Sequence, residues 1–371
     1  MRGLVLEGGG VKGAFHAGVL KAFFENYPNY AFDGVAGTSI GALNGALIIQ
    51  DDFDVCYDLW KNASPSMVVD IDDTEIEKII SGRYSLSTIA YFLKKFSKVI
   101  GNKGLSIDKL EELVDKYIDE EKLRSSNKVF GIVTVNISDN WEALELFIED
   151  IPNGELGAYI MASAYFPAFN RPNINGKNFM DGGLYNNLPI NLLVRKGFTD
   201  LLVIRTMSKM PRHKNVDGSI KIDYIEPSED LGKSFDFRKK NVDFLLKLGY
   251  FDGLRYIHNY LGKKFYINNK NTNFSNKLLK KFKKFYEDNI DIDTNNTYAE
   301  FMVNIKQDNQ LSVLDDDFYA ILMLLEQVAS KYNIDKFNIY TVEKLVKNVS
   351  TKIVENEELN IFEKFLIEEY K

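Results

Sequence analysis

Three short glycine-bearing blocks hold the residue types needed to break an ester bond. Gly37-Thr38-Ser39-Ile40-Gly41 sets a serine between two glycines at the G-x-S-x-G spacing of a nucleophile elbow. Flanking glycines let a strand turn sharply into a helix, which pushes the serine into a strained, exposed position. The helix start behind it adds free amides and the positive end of a dipole. Gly8-Gly9-Gly10-Val11-Lys12-Gly13 is a backbone cradle, in which amides unshielded by side chains can converge on one anion. In acyl transfer that anion is the oxyanion of the tetrahedral intermediate. Asp181-Gly182-Gly183 offers a carboxylate beside two glycines that admit close backbone approach, able to accept the proton of Ser39. Each block alone is also an ordinary turn, the first with Ser39 as a helix cap.

Other chemistries compete for the same residues. Gly8-x-Gly10-x-x-Gly13 satisfies the dinucleotide fingerprint of an oxidoreductase, with Asp33 about 20 residues on as the ribose-binding acid. Against it, that acid should end the second strand, whereas Asp33 begins it and the strand's end carries Ser39. Ser39, Asp181 and His213 follow the Ser–Asp–His order of the α/β-hydrolases. His213 lies in the polar loop Pro211-Arg212-His213-Lys214 and reads as solvated. His16 reads as a packed or capping residue and His258 as a surface one. A third alternative keeps the site as a non-catalytic lipid-binding module, which would not need all three blocks intact.

The elements that must position these residues are legible as βα units. Leu4 to Leu6 reads as a buried strand, Gly13 to Glu25 as a helix buried all round, Asp33 to Ala36 as a second strand, and the segment after Ser39 as a helix to Ile49. On that last helix Gly41 and Gly45 are i,i+4 neighbours permitting close approach. Asp51 to Asp119 is largely helical, including Ile107 to Ile118. Lys128 to Ile137 and Trp141 to Ile148, joined by Ser138-Asp139-Asn140, predict an antiparallel pair. Gly154 to Ser163 predicts a helix, Asn178 to Met180 leads into Asp181, and Leu201 to Arg205 is another buried strand. Beyond a polar loop at Ser208 to Ser219 the texture turns helical and rich in Asn and Lys, with a boundary placed near Glu229 and a loop at Asn268 to Phe274.

The 371 residues are 45% hydrophobic and 27% charged, a globular balance. A net charge of −7 argues against general nucleic-acid binding, which needs a basic footprint. Cys56 is the single cysteine, so no intrachain disulfide forms. The N-terminal apolar run is too short for a signal peptide, and no stretch approaches a membrane span. The expected location is cytoplasmic or peripheral to a membrane, with export lacking a classical leader left open. Lys277 to Tyr286 has Leu278, Leu279, Phe282, Phe285 and Tyr286 opposite five lysines, a pattern that suits an amphipathic membrane helix or a helix packed on a core. Ile89 to Ile100 is a similar candidate flap.

Taken together the blocks at Gly8 to Gly13, Gly37 to Gly41 and Asp181 to Gly183, in this order, resemble the patatin-like phospholipases. Ala162 to Pro167 is similar to that family's Ala-Ser-rich segment before the aspartate. The resemblance covers about Met1 to Thr206. It implies an α/β three-layer sandwich with a mostly parallel central sheet flanked by helices, here followed by a C-terminal helical region, with residues 1–228 as hydrolase core and 229–371 as appendage. It also implies a Ser39–Asp181 dyad without histidine, an oxyanion hole in the loop Gly8, Gly9, Gly10, Val11, Lys12 and Gly13 centred on Gly9 and Gly10, and supporting glycines at Gly37, Gly41, Gly182 and Gly183. The implied substrate is a phospholipid or other acyl lipid, cleaved at its ester without metal or cofactor.

Overall fold

A computed structural model describes residues 1–64, 107–166, 169, 172–207, 219–270, 272–289, 297–312, 316–354 and 358–371. The calls on Ile89 to Ile100 and on His213 fall outside these residues. The chain divides into two compact units, Met1–Gly253 and Leu254–Lys371.

The first unit is built on β1 (Arg2–Leu6), α1 (Gly13–Asn26), β2 (Gly34–Thr38), α2 (Ile40–Ile49), α3 (Phe53–Lys61), α4 (Asp108–Tyr117), α5 (Glu120–Ser125), β3 (Val129–Asn136), β4 (Glu142–Phe147), α6 (Leu156–Ser163), β5 (Phe179–Asp181), α7 (Ile190–Arg195), β6 (Asp200–Ile204) and β7 (Lys221–Ile225). Its sheet runs β4-β3-β2-β1-β6-β7. The strands β1, β2, β3, β6 and β7 are parallel, and β4 lies antiparallel on β3. Leu4, Val5 and Leu6 are fully buried at the sheet's centre, as the continuous apolar run of a parallel strand covered on both faces requires. The architecture is α/β with a mostly parallel central sheet flanked by helices.

Strand β3 decides where the functional blocks meet. One edge pairs with β4. The other pairs parallel with β2 as far as Thr38↔Val133, then antiparallel with β5 from Asp181↔Thr134. Two consecutive residues of β3 therefore carry the end of β2 and the carboxylate-bearing end of β5. Thr134, fully buried, donates its hydroxyl to the Met180 and Ala162 carbonyls at 3.0 and 3.1 Å, fixing that short strand.

Strand β7 departs from the helical texture expected beyond Ser219. It is an edge strand in which Lys221 and Asp223 are held by charges, with Asp223 2.9 Å from Lys221 and 3.2 Å from Arg2. An edge strand needs no apolar alternation on both faces, so periodicity misses it. After it, α8 (Lys239–His258) lays its residues up to Gly253 on α1 through small residues. A Cβ on Gly18 would sit 2.2 Å from the Leu246 carbonyl oxygen, and one on Gly249 2.2 Å from that of Phe15. This close packing keeps residues beyond Glu229 within the first unit, so the compositional change and the spatial division do not coincide.

The second unit packs α9 (Thr272–Asn289), α10 (Tyr298–Asp308), α11 (Asp317–Lys331), α12 (Val342–Ser350) and α13 (Ile361–Tyr370) around one apolar core, with β8 (Tyr266–Asn268) and β9 (Ile339–Thr341) as a two-stranded parallel sheet. Neither strand was expected, and α9 begins at Thr272 inside the tract read as a loop. Leu278, Phe282, Phe285 and Tyr286 are buried in this core, while Lys277, Lys280, Lys281, Lys283 and Lys284 are exposed. The amphipathic stripe thus faces protein, which removes it as a membrane-inserting face. No helix among the described residues is long and apolar enough to cross a membrane.

Candidate active site

Ser39 sits between β2 and α2 at φ 57°, ψ −126°, a left-handed conformation that costs a non-glycine residue about 1–3 kcal/mol. The strain is held by close backbone approach. A Cβ on Gly41 would lie 2.3 Å from the Leu6 carbonyl oxygen, and one on Gly37 2.2 Å from that of Gly41. The Ser39 amide donates to Ser163 Oγ at 2.9 Å, which gives the Ala-Ser segment at the end of α6 a concrete place in the elbow.

Ser39 Oγ donates to Asp181 Oδ2 at 2.6 Å, and the Gly183 amide donates to Asp181 Oδ1 at 2.7 Å, so each carboxylate oxygen has one donor. Gly182 lies so close to β3 that a Cβ there would be 2.1 Å from the Val133 carbonyl oxygen. Desolvation pushes the Asp181 carboxyl up to about 6, against the opposing pull of the Ser39 and Gly183 hydrogen bonds. No carboxylate or histidine other than Asp181 hydrogen-bonds Ser39 among the described residues. His16 is fully buried on α1, 3.5 Å from the Asn44 amide and lowered to about 3 by burial, so it is a neutral packed residue. His258 is exposed at the end of α8.

The glycine loop follows β1 and turns into α1. Most of its amides are used by the fold. Gly8 donates to the Asn187 carbonyl, Val11 to Ser234, Lys12 to Gly9, and Gly13 to Gly10 and Val11. Only the Gly9 and Gly10 amides make no hydrogen bond among the described residues, and both residues line the same cavity as Ser39 and Asp181. Within the six-residue loop, the two unengaged amides are those on which the family resemblance centres the cradle. Lys12 is half-buried, its ammonium lowered by desolvation against the attraction of Asp230 and Glu7. Asp33 immediately precedes β2, at the end opposite Ser39, exposed and bonded to the Arg2 amide at 2.7 Å. The acid needed by the dinucleotide reading is therefore at the wrong edge of the sheet, whereas the glycine loop and Ser39 share the other.

The cavity holds about 450 Å³ and is walled mostly by apolar side chains. Three helices contribute stripes spaced three or four residues apart. From α2 come Ile40, Leu43 and Leu47; from α3 and the turn after it, Leu59 and Ala63; from α4 and its end, Leu110, Val114 and Ile118. Gln50, capping α2, donates to the Tyr117 carbonyl at 2.7 Å and accepts from the Asp119 amide at 3.2 Å. The ends of α2 and α4 therefore meet, and the cavity follows α2 away from Ser39 for about 12 Å, eight residues at the helical rise. Cys56 also lines it, but burial pushes its thiol up to about 12 and keeps it protonated.

Several supporting residues carried no signal in the sequence. Asn44 donates to the Gly13 carbonyl at 3.0 Å and accepts from Trp60 Nε1 at 2.9 Å, tying the end of the glycine loop to α2 and α3. Thr38 Oγ1 donates to the Asn186 carbonyl at 2.8 Å. Glu7, buried beside Arg205, accepts the Thr206 and Met207 amides at 2.7 and 3.0 Å; desolvation raises its carboxyl. Single polar residues of common type become visible only when the strands converge. No cluster of three or more possible metal ligands occurs among the described residues.

The neuropathy target esterase sws of Drosophila melanogaster is 27% identical over 215 residues, 54% of this chain and 12% of that protein. Its counterpart in Drosophila persimilis is 29% identical over 200 residues, 50% of this chain and 11% of its own length. The chain thus spans about an eighth or less of these relatives. The solved structure of VipD from Legionella pneumophila aligns over 100% of this chain and 86% of that one, at 15% identity and a TM-score of 0.43. The family described as patatin-like phospholipase matches residues 4–194, more than half of the chain. The glycine loop, the elbow and everything from Leu4 of β1 to Val194 of α7 fall inside that span, with Asp181 near its end, and the chain belongs to the patatin-like phospholipase family.

Proposed function

We propose that the protein is a serine-dependent acyl hydrolase that cleaves carboxylic esters of phospholipids or acylglycerols through a Ser39–Asp181 dyad. The observation that carries this reading is the 2.6 Å hydrogen bond from Ser39 to a desolvated Asp181 at the head of an apolar cavity. Ser39 Oγ attacks the ester carbonyl while its proton passes to Asp181 Oδ2, and the carbonyl oxygen, now an anion, is held by the Gly9 and Gly10 amides. Collapse breaks the bond to the leaving alcohol, which takes the proton from Asp181. Water then attacks the acyl-Ser39 ester, giving its proton to Asp181, and release of the fatty acid returns that proton to Ser39. Burial assists the base: free Asp near 3.9 is far from a serine hydroxyl, and raising it narrows the gap. No step requires a metal or cofactor.

A fluorophosphonate probe is expected to label the protein once, at Ser39, as read by peptide mass spectrometry. Labelling that persists in Ser39→Ala would contradict the assignment. The cavity's course along α2 supports a single acyl chain lying from Ser39 toward Leu47 and Ile118, roughly ten carbons deep on the helical length above. Leu47→Trp is expected to lower kcat/KM for sixteen-carbon p-nitrophenyl esters by about tenfold, the scale of one or two methylenes lost from an apolar site, and to spare four-carbon esters. An equal loss on both esters would place the chain elsewhere.

A further inference from the structure

We infer that Thr206 and Asn187 are positioning residues for the oxyanion-binding amides, acting through the Gly8–Gly9 peptide. This rests on the reading of Gly9 and Gly10 as the oxyanion donors. The Gly8 carbonyl oxygen accepts two hydrogen bonds, from Thr206 Oγ1 at 2.6 Å and from Asn187 Nδ2 at 3.2 Å. In a trans peptide the carbonyl of one residue and the N–H of the next lie on opposite edges of a single plane. Holding the Gly8 oxygen on two donors therefore sets the direction of the Gly9 N–H, which leaves from the other edge and makes no bond among the described residues.

The need for such a clamp follows from the sequence. Three consecutive glycines tolerate both signs of φ, so nothing in Gly8-Gly9-Gly10 itself prevents the peptide from turning over. An amide that must be reoriented in each turnover loses the advantage of a preorganised donor. The clamp is itself braced. Thr206 is 2% exposed, so its hydroxyl is shielded from water, and its amide is held by Glu7 Oε2 at 2.7 Å. Asn187 closes a second contact by accepting the Gly8 amide on its own carbonyl at 3.1 Å. Two donors on one carbonyl also polarise the peptide and strengthen the N–H opposite. The next peptide is held differently, by the Lys12 amide donating to the Gly9 carbonyl at 3.3 Å.

The test is Thr206→Val, which exchanges hydroxyl for methyl at nearly constant volume, beside Thr206→Ser, which restores the donor. With a p-nitrophenyl ester, Thr206→Val is expected to lower kcat about 10- to 100-fold with KM within about twofold, a loss on the scale of a weakened oxyanion donor. Its affinity for a trifluoromethyl ketone that forms a tetrahedral adduct should fall in parallel with kcat/KM. Thr206→Ser should recover most of both. Asn187→Leu, which removes the second donor at similar size without adding charge, should show the same split and serves if Thr206→Val does not fold. The inference is overturned if Ser39-dependent turnover is present in the wild type and the folded donor-deleted variants keep it within about twofold. Serine giving no recovery, or a rise in KM in place of a fall in kcat, would overturn it equally. Absence of Ser39-dependent turnover in the wild type overturns the hydrolase reading and this inference together.

Discussion

Asp181→Asn is expected to lower turnover by about 10³–10⁴ while making the folded protein more stable by roughly 1–3 kcal/mol. The two effects share one cause. Folding raises the Asp181 carboxyl from 3.8 to about 6, so the ionised form is disfavoured in the native site relative to the unfolded chain. Above about 6 the carboxylate is ionised in both states, and the native state bears the full desolvation cost. As pH falls from about 6 toward 4 the native carboxyl takes up its proton and that cost disappears. The stability advantage of Asn should accordingly be present at pH 8 and nearly gone at pH 4, as urea denaturation of both proteins would show. On the proposed mechanism activity runs on the same ionisation, because only the carboxylate can accept the Ser39 proton. Wild-type kcat/KM is expected to rise with pH through one ionisation near 6 and level off above it. A variant less stable than wild type at pH 8, or retaining a tenth of its turnover, would contradict the role given to Asp181.

Gly41→Ala is expected to destabilise the first unit by about 3–5 kcal/mol and to abolish fluorophosphonate labelling at Ser39. The new Cβ would meet the Leu6 carbonyl oxygen at 2.3 Å, and that oxygen belongs to the central strand of the sheet, where neither backbone can move aside. Gly45→Ala, one turn further along α2, meets the side chains of Val35 and Phe130 at 3.0 and 3.2 Å, which can adjust, and should cost less. Ser39→Gly offers the opposite sign. It relieves the φ of 57° at Ser39 and is expected to stabilise by about 1–2 kcal/mol while removing activity. Chemical denaturation of the three variants would order them; a Gly41→Ala protein as stable as wild type would refute the account of the elbow.

Local signals in the chain specify some elements and leave others to tertiary context. β1, α1, α2, the β3–β4 hairpin and α6 are legible because their periodicity and turn residues are local properties. β7, β8 and β9 are not: β7 is an edge strand with charged residues along it, and the other two are three-residue strands that exist only through each other. The basic stripe of α9 illustrates a different gap, since amphipathicity establishes that a face is apolar without saying what covers it.

By themselves the residues determined which groups are proposed to react, the strand–glycine–helix grammar around each, and the family. Which groups meet was decided in three dimensions. The register of β3, which carries Thr38 at Val133 and Asp181 at Thr134, brings a hydroxyl and a carboxylate together across 142 positions of sequence. The family resemblance already pointed to Gly9 and Gly10, but what leaves their amides unengaged is tertiary, because Asn187 and Ser234 arrive from distant loops to occupy their neighbours. Hydrogen bonds saturate one donor at a time, and only the assembled backbone shows which donors are left.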